Sequence, residues 1–346
     1  MKKFKINKIK NNCIIPSAAK TISRKALYEY AYIDRPPLEG DVVYGQVMKM
    51  GQHLEIENKN ARLHRIIDGV KAIFVFGNRY APDYYEGVVP KEMTEEVSVL
   101  ARSGVVGMLL HKNDNVKEPT VVKVLGYVLD SNGEIVNTKD YNLIRPKHTE
   151  KKQNRAKLIL NIGTSMNSGK SMSGASCCAS LSYFGKEVRF SKITGTASLK
   201  DILNAQDMGA RIINDFTYMG YPSTYMLNEA ELLNIFNSID LKFANNQNNY
   251  WVVELADGIL QRETAMLLRH EDVQSRIHKL VFSAHCSLSA IGGLSVLKNE
   301  FGLVPDAISG ILSSSPLFVN ELEEFSNIPV INNLNPNLEK FYNILK

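Results

Sequence analysis

Residues 158–171, LILNIGTSMNSGKS, constrain this chain more than any other stretch, because an apolar run there leads directly into a Gly/Ser-rich turn and then into helix-forming sequence. Leu158, Ile159, Leu160 and Ile162, bounded by Gly163, have the pattern of a parallel strand covered on both faces. After the turn, Gly169, Lys170 and Ser171 stand side by side. A residue without Cβ lets backbone N–H groups approach an anion, an ammonium reaches the β/γ oxygens of a triphosphate, and a hydroxyl serves Mg²⁺. The stretch therefore predicts a phosphate-binding loop inside an α/β domain. Its first half departs from the common form: Thr164 occupies the usual glycine position, and the glycine is displaced to Gly163.

A loop of the form GT, four residues, then GK[ST] resembles that of dethiobiotin synthetase and its relatives, including the synthetase domains of cobyrinate-type amidotransferases. The resemblance covers the carboxyl-terminal half only. It implies a P-loop parallel sheet with helices on both faces, and a site in which Gly163, Thr164, Asn167, Ser168, Gly169, Lys170 and Ser171 hold ATP and Mg²⁺. Later segments follow in the family's order. Residues 187–193, EVRFSKI, read as a second strand ending on Lys192, with Thr194, Gly195, Thr196 and Ser198 just beyond. By similarity, Lys192 joins Lys170 as a catalytic cation, neutralising charge that develops during phosphoryl transfer, and Thr194, Thr196 and Ser198 lie near the substrate.

A third apolar run ends on Asp215, which either is the family's Mg²⁺-linked aspartate or caps the turn that follows. The loop after it, with Tyr218 and Tyr225 among turn residues, has the make-up of a substrate cover. The run 250–254 ends on Glu254, matching the glutamate that holds Mg²⁺ in these enzymes. The spacing from there to Gly258 is looser than the family's, which leaves Asp257 as a competing ligand. Carboxylates at the ends of neighbouring strands suit an ion that prefers a few hard oxygens plus phosphate and water. Two more strand–helix units, 279–298 and 307–325, and a last strand at 329–332 complete the expected sheet. Relatives hold the nucleotide base with loops after the last strands, so Ser313, Ser314, Pro316, Asn332 and Asn333 are base-site candidates. Asparagine amides suit adenine, which favours ATP.

From Asp41 to about Leu143 the rhythm changes to short β-rich runs punctuated by glycines, which predicts a smaller amino-terminal barrel or sandwich with little helix. The charged run 146–157 reads as a linker. The expected division is a basic tail at 1–36, partly disordered, a β-rich domain at 37–150, and the P-loop domain at 151–346. Within the β-rich part, residues 76–87 concentrate Arg79, Tyr80, Asp83 and Glu86 in a Gly/Pro-bounded loop, either a substrate clamp or a packed connection. His285, beside Cys286 at the expected catalytic edge, is either a structural residue or a proton-transfer group.

Lys2, Lys3, Lys5, Lys8 and Lys10 supply much of the net charge of +5. A solvated tail explains them, and a basic tail beside a small barrel also suits nucleic acid, although no sustained basic stripe supports that. No apolar run approaches the ~20 residues needed to span a bilayer, and the opening lacks the ~7–15-residue apolar region of a secretory signal. The expectation is a soluble, cytoplasmic protein. Four cysteines form no CxxC pair and no disulfide framework.

Three function classes remain. The first is an ATP- and Mg²⁺-dependent synthetase or ligase that phosphorylates a small carboxylate or carbamate for capture by a nucleophile. The others are a nucleotide-dependent switch or chaperone ATPase/GTPase, and a nucleic-acid-associated ATPase. Lys192 with its Thr/Ser-rich loop favours the first, since a pure switch has no need of a substrate-side lysine. Its small-molecule partner would carry a carboxylate or an amine. The resemblance also implies a homodimer, because dimerisation completes the substrate site in those relatives.

Overall fold

Valine, isoleucine and aromatic residues dominate the short runs of the amino-terminal half, and such side chains pack well on a pleated surface. The structure, a computed structural model, describes residues 5–144 and 154–346. It places eleven strands in the first half: β1 (Asn7–Lys8), β2 (Glu29–Ala31), β3 (Val42–Lys49), β4 (Glu55–Glu57), β5 (Leu63–Arg65), β6 (Lys71–Phe76), β7 (Arg79–Tyr80), β8 (Tyr85–Val88), β9 (Glu96–Val99), β10 (Val105–Lys112) and β11 (Val121–Leu129). β3 pairs with β6, β6 with β10, β10 with β9, β9 with β11, and β11 with β3, so the five strands close into a ring. This is a small barrel. Only its β6–β10 pair is parallel.

Register explains the core. Val43 lies opposite Phe74, Phe76 opposite Val106, Val106 opposite Val99, Val97 opposite Val122, and Val122 opposite Val47. All of these side chains are buried in one cluster, as expected for the inward positions of a closed barrel whose strands have no free edge. The outward residues Val42, Tyr44, Ile73 and Val75 are covered by Ile9, Ile15, Ala18, Ala19, Ile22 and Leu27. Residues 7–31 thus differ from the basic tail their lysines suggest. Their scattered apolar side chains have a second sheet face to bury against, and β1 and β2 extend the sheet beside β11.

The carboxyl-terminal half alternates strand and helix: β12 (Lys157–Gly163), α1 (Lys170–Tyr183), β13 (Val188–Lys192), α2 (Leu199–Asp207), β14 (Ile212–Asp215), α3 (Glu229–Phe243), β15 (Tyr250–Glu254), α4 (Arg262–Arg269), α5 (Glu271–Gln274), β16 (Ile277–Ser283), α6 (Ser287–Phe301), β17 (Ala307–Ser309), α7 (Pro316–Glu323) and α8 (Leu338–Leu345). Strand order is β14-β13-β15-β12-β16-β17, and every pairing is parallel. Helices flank both faces, which accounts for the near-continuous burial of Leu158, Ile159, Leu160, Trp251, Val252 and Val253. The last expected strand is reduced to a parallel bridge between Ile308 and Val330. Crossovers through helices bring the carboxyl ends of all these strands to one edge.

Two compact units result. The first comprises Met1–Arg145, Gly195–Leu199 and Phe216–Met226, and the second Pro146–Thr194, Lys200–Asp215 and Leu227–Lys346. The loops that follow β13 and β14 therefore belong to the β-rich unit, a division that a boundary near residue 150 does not anticipate. Most of the expected linker lies outside the described residues. Among the described residues, no helix is long and apolar enough to cross a membrane.

Candidate functional site

β12 ends at Gly163 and α1 begins at Lys170, so residues 164–169 bridge the carboxyl edge of the sheet and the amino terminus of a 14-residue helix. Asn167 and Gly169 take positive φ, 60° and 97°, the kind of turn that gathers backbone N–H groups round an anion. The displaced glycine has a steric reason. A Cβ on residue 163 would lie 2.3 Å from Ser168 Oγ and 2.8 Å from the Ser283 carbonyl oxygen, so the loop folds back over this position only if it carries no side chain. Thr164, in the usual glycine position, donates its N–H to the Ser283 carbonyl at 2.9 Å, and its hydroxyl is buried without a hydrogen-bond partner.

Lys170 is buried, with Nζ donating to the Ser165 carbonyl at 2.6 Å and lying 3.5 Å from Ser168 Oγ. Burial lowers its pKa, and the charges of Glu254 and Asp257 partly offset that effect. Lys192 ends β13. Its Nζ is hydrogen-bonded to Asp201 Oδ2 and lies 3.9 Å from Glu254 Oε1. Burial opposes the charge on Lys192, but Asp201 and Glu254 outweigh it and raise the pKa. Conversely, burial works against the Asp201 carboxylate, and Lys192 overcomes it to hold the pKa down. Glu254 goes the other way: burial raises its pKa, the Lys192 charge and then Lys170 work against that, and Asp201 adds to the rise, which prevails. The Ser171 hydroxyl is close enough to both carboxylates to lower the pKa of each.

Lys170, Ser171, Lys192 and Glu254, named from sequence, are thus brought together electrostatically, and Asp257 joins them from a left-handed backbone position with φ of 61°. Asp201 is the addition. Its only local signal, Ser198 three residues earlier at the start of a helix, is that of a capping box and reads as structural. Asp215 lies at the end of β14, its backbone in register with Lys192 and its side chain buried, while the acids whose charges act on the two lysines are Asp201, Glu254 and Asp257.

A divalent cation has a fitting place here. Glu254 Oε2 is buried with no hydrogen-bond partner, close to a hydroxyl and a second carboxylate. Among the described residues no group of three or more His, Cys, Asp or Glu side chains could hold a metal by itself, so an ion here would have to complete its shell with phosphate and water.

Other sequence candidates have structural employment. Thr194 Oγ1 accepts the Ala256 N–H at 2.8 Å. Thr196 bridges Ser223, and Ser198 follows in the same segment, both within the β-rich unit. There Tyr225 donates to Glu86 at 2.6 Å and packs on the Tyr80 ring at 5.6 Å, and Arg79, buried, lies 3.3 Å from His53 Nε2 and above the Tyr84 ring. Asn332 accepts the N–H groups of Leu334 and Asn335 and lines a cavity of about 220 Å³ shared with Ser313, Asn335 and Lys340. The His285 side chain is exposed beside the α6 N-cap, Cys286.

No protein-family model matches the chain. No curated protein matches it either. Among solved structures it is similar to the signal recognition particle receptor FtsY from Elizabethkingia anophelis in complex with GDP, at 11% identity and a TM-score of 0.37, covering 60% of this chain and 69% of that one. A ParA family ATPase from Chlorobium tepidum TLS is similar at 16% identity and a TM-score of 0.35, over 52% of this chain and 84% of that one. Likeness at this level settles neither family nor activity.

Proposed function

We propose that the sheet unit binds ATP with Mg²⁺ and transfers the terminal phosphoryl group to a small carboxylate or carbamate, as a cytoplasmic, homodimeric synthetase or ligase similar to dethiobiotin synthetase. One observation carries the reading: two buried lysines, one from the loop and one from a different strand, act on the same three acids at the carboxyl edge of a parallel sheet. In this reading residues 163–169 shape the loop, and the N–H groups at the α1 terminus with Lys170 take the β- and γ-phosphates. Ser171 and Glu254 would hold Mg²⁺ together with Asp201, taken ahead of Asp215 because Ser171 acts on it directly. The ion, when bound, neutralises charge on the phosphate oxygens. Lys192 exchanges Asp201 for the charge developing on the transferring group. A substrate carboxylate oxygen bonds to the γ-phosphorus, the bond to the bridging oxygen breaks, ADP leaves with the electron pair, and a nucleophile then displaces phosphate from the acyl phosphate. The adenine would lie by Asn332 in the cavity next to Ser313.

A nucleotide-dependent switch is the second reading. It is favoured by the placement of Gly195–Leu199 and Phe216–Met226, directly downstream of Lys192 and Asp215, in the other unit. ADP release stimulated by small carboxylic acids or amines supports the synthetase, and turnover indifferent to them supports the switch. For the site itself, calorimetry with Mg–ATP should show Lys170→Ala losing about 2–3 kcal/mol or more of binding with the fold intact. Equal affinity in the mutant rejects the phosphate loop. Lys192→Ala should lower turnover far more than ADP affinity, and parallel losses would reject its role in transfer.

A further inference from the structure

Beneath the loop, Ser173 of α1, Ser283 of β16, Ser309 of β17, Ser313 and Asn333 interlock as a buried polar network. Ser173 Oγ lies 3.0 Å from both Ser283 Oγ and Ser309 Oγ and donates to the Gly169 carbonyl at 3.1 Å. The Asn333 amide donates to that same Gly169 carbonyl at 3.1 Å and to Ser173 Oγ at 3.0 Å, while its Oδ1 faces Ser313 Oγ at 3.3 Å. One residue earlier, the Ser168 carbonyl accepts the Ile311 N–H at 3.1 Å. The Ser168 carbonyl is therefore held from outside the loop and its helix, and the Gly169 carbonyl, which also accepts the Ser173 N–H of α1 at 3.0 Å, is held from both sides.

Close approach makes this possible. A Cβ at residue 169 would stand 2.8 Å from Gly310 Cα and 3.1 Å from Asn333 Nδ2, and one at residue 310 would stand 2.3 Å from the Ser168 carbonyl oxygen. Because a trans peptide directs its C=O and N–H to opposite sides, a Gly169 carbonyl fixed by Ser173 in front and Asn333 behind turns the Lys170 N–H the other way. That N–H is one of the unpaired donors at the start of α1.

We propose that Asn333 is a positioning residue for phosphate binding, locking from behind the loop the direction of the Gly169–Lys170 peptide that the first turn of α1 sets, through its bonds to the Gly169 carbonyl and to Ser173. The inference rests on the nucleotide-binding reading above. Asn333 is buried, and both hydrogen bonds of its amide go to Gly169 and Ser173.

The test measures Mg–ATP and inorganic tripolyphosphate binding by calorimetry in the full chain, together with thermal stability. Wild-type protein that binds neither probe overturns the phosphate-loop reading and this inference with it. If wild type binds, Asn333→Ala should weaken both probes about tenfold and to a similar degree, since the lost hydrogen bonds act through the loop. Ser313→Ala, which removes one contact to Asn333, should weaken both about twofold to threefold, and it decides the matter should Asn333→Ala fail to fold. A loss confined to ATP would assign Asn333 to the base side. A lowered melting temperature with both affinities unchanged would make it purely structural. Either result overturns the proposal while leaving the phosphate loop standing.

Discussion

In the β-rich unit Arg79 lies 3.3 Å from a histidine and the Tyr225 hydroxyl is bonded to Glu86, whereas at the edge of the sheet unit Lys170, Lys192, Asp201 and Glu254 crowd together where burial opposes the ionisation of every one of them. The first arrangement is explained by the fold that contains it: a loop rich in ligand-like residues is pinned to its own barrel. The second is not. Charges held against the cost of burial, with carboxylate pKa values pushed in opposite directions, are not what packing calls for, and they are why the proposed site is placed here. Residue type alone would have put Arg79 and Tyr225 level with Lys192; what separates them is that Lys192 is paired with buried carboxylates at the sheet edge, whereas Arg79 and Tyr225 lie against side chains of their own β-rich unit.

The comparison breaks most readily at the barrel core. Phe74 is fully buried inside the ring, and Phe74→Ala should cost about 3–5 kcal/mol in denaturant unfolding. A loss under about 1 kcal/mol would mean the ring is not a packed core. Acid should act next. His53 is buried beside Arg79, and burial first, then the Arg79 charge, lower its pKa from 6.5 to about 4. The folded pKa lies below the unfolded one, so the neutral ring contributes stability above pH 6.5 that is lost as pH falls towards about 4. The full swing is about 3 kcal/mol at ~1.4 kcal/mol per pH unit. Midpoints measured from pH 7 to 4 should fall more steeply in wild type than in His53→Asn; identical slopes would place the ring in water. The smallest effect sharpens the contrast between the units. Tyr225→Phe removes one hydrogen bond and should cost about 1 kcal/mol of stability, with Mg–ATP affinity changed less than twofold. A tenfold loss of affinity would make this loop part of the site and erase the distinction drawn here.

Local sequence was sufficient wherever function depends on residues next to one another. The run from Leu158 to Ser171 specifies strand, loop and helix within a few residues, and Lys192 and Glu254 could be found because each terminates an apolar run and strand ends share one edge in a parallel sheet. Asp201 could not be found this way. It sits on a helix, and only the path of the chain after Lys192 returns its carboxylate to that lysine. Asp215 and Glu254 look alike in sequence, each an acid closing a strand, yet they end strands on opposite sides of β13, and Glu254 is the one that faces both lysines.

For the amino-terminal half, alternation and glycine spacing were enough to specify strands but not their closure, since which strand lies beside which is decided by loop paths and by the fit of facing side chains. Residues 7–31 show the same limit. Their lysines draw attention to solvent, but Ile9, Ile15, Ile22 and a few other apolar side chains among them are enough to cover a sheet face that otherwise stays wet. The sequence by itself determined the strand, turn and helix from Lys157 to Tyr183 and the alternation that builds a parallel sheet, because both arise from neighbouring residues. Only the tertiary structure decided which acids meet the lysines and which aromatic and arginine side chains are occupied elsewhere, because those depend on how the chain turns back on itself, over nine positions for Lys192 and Asp201 and 139 for Tyr225 and Glu86.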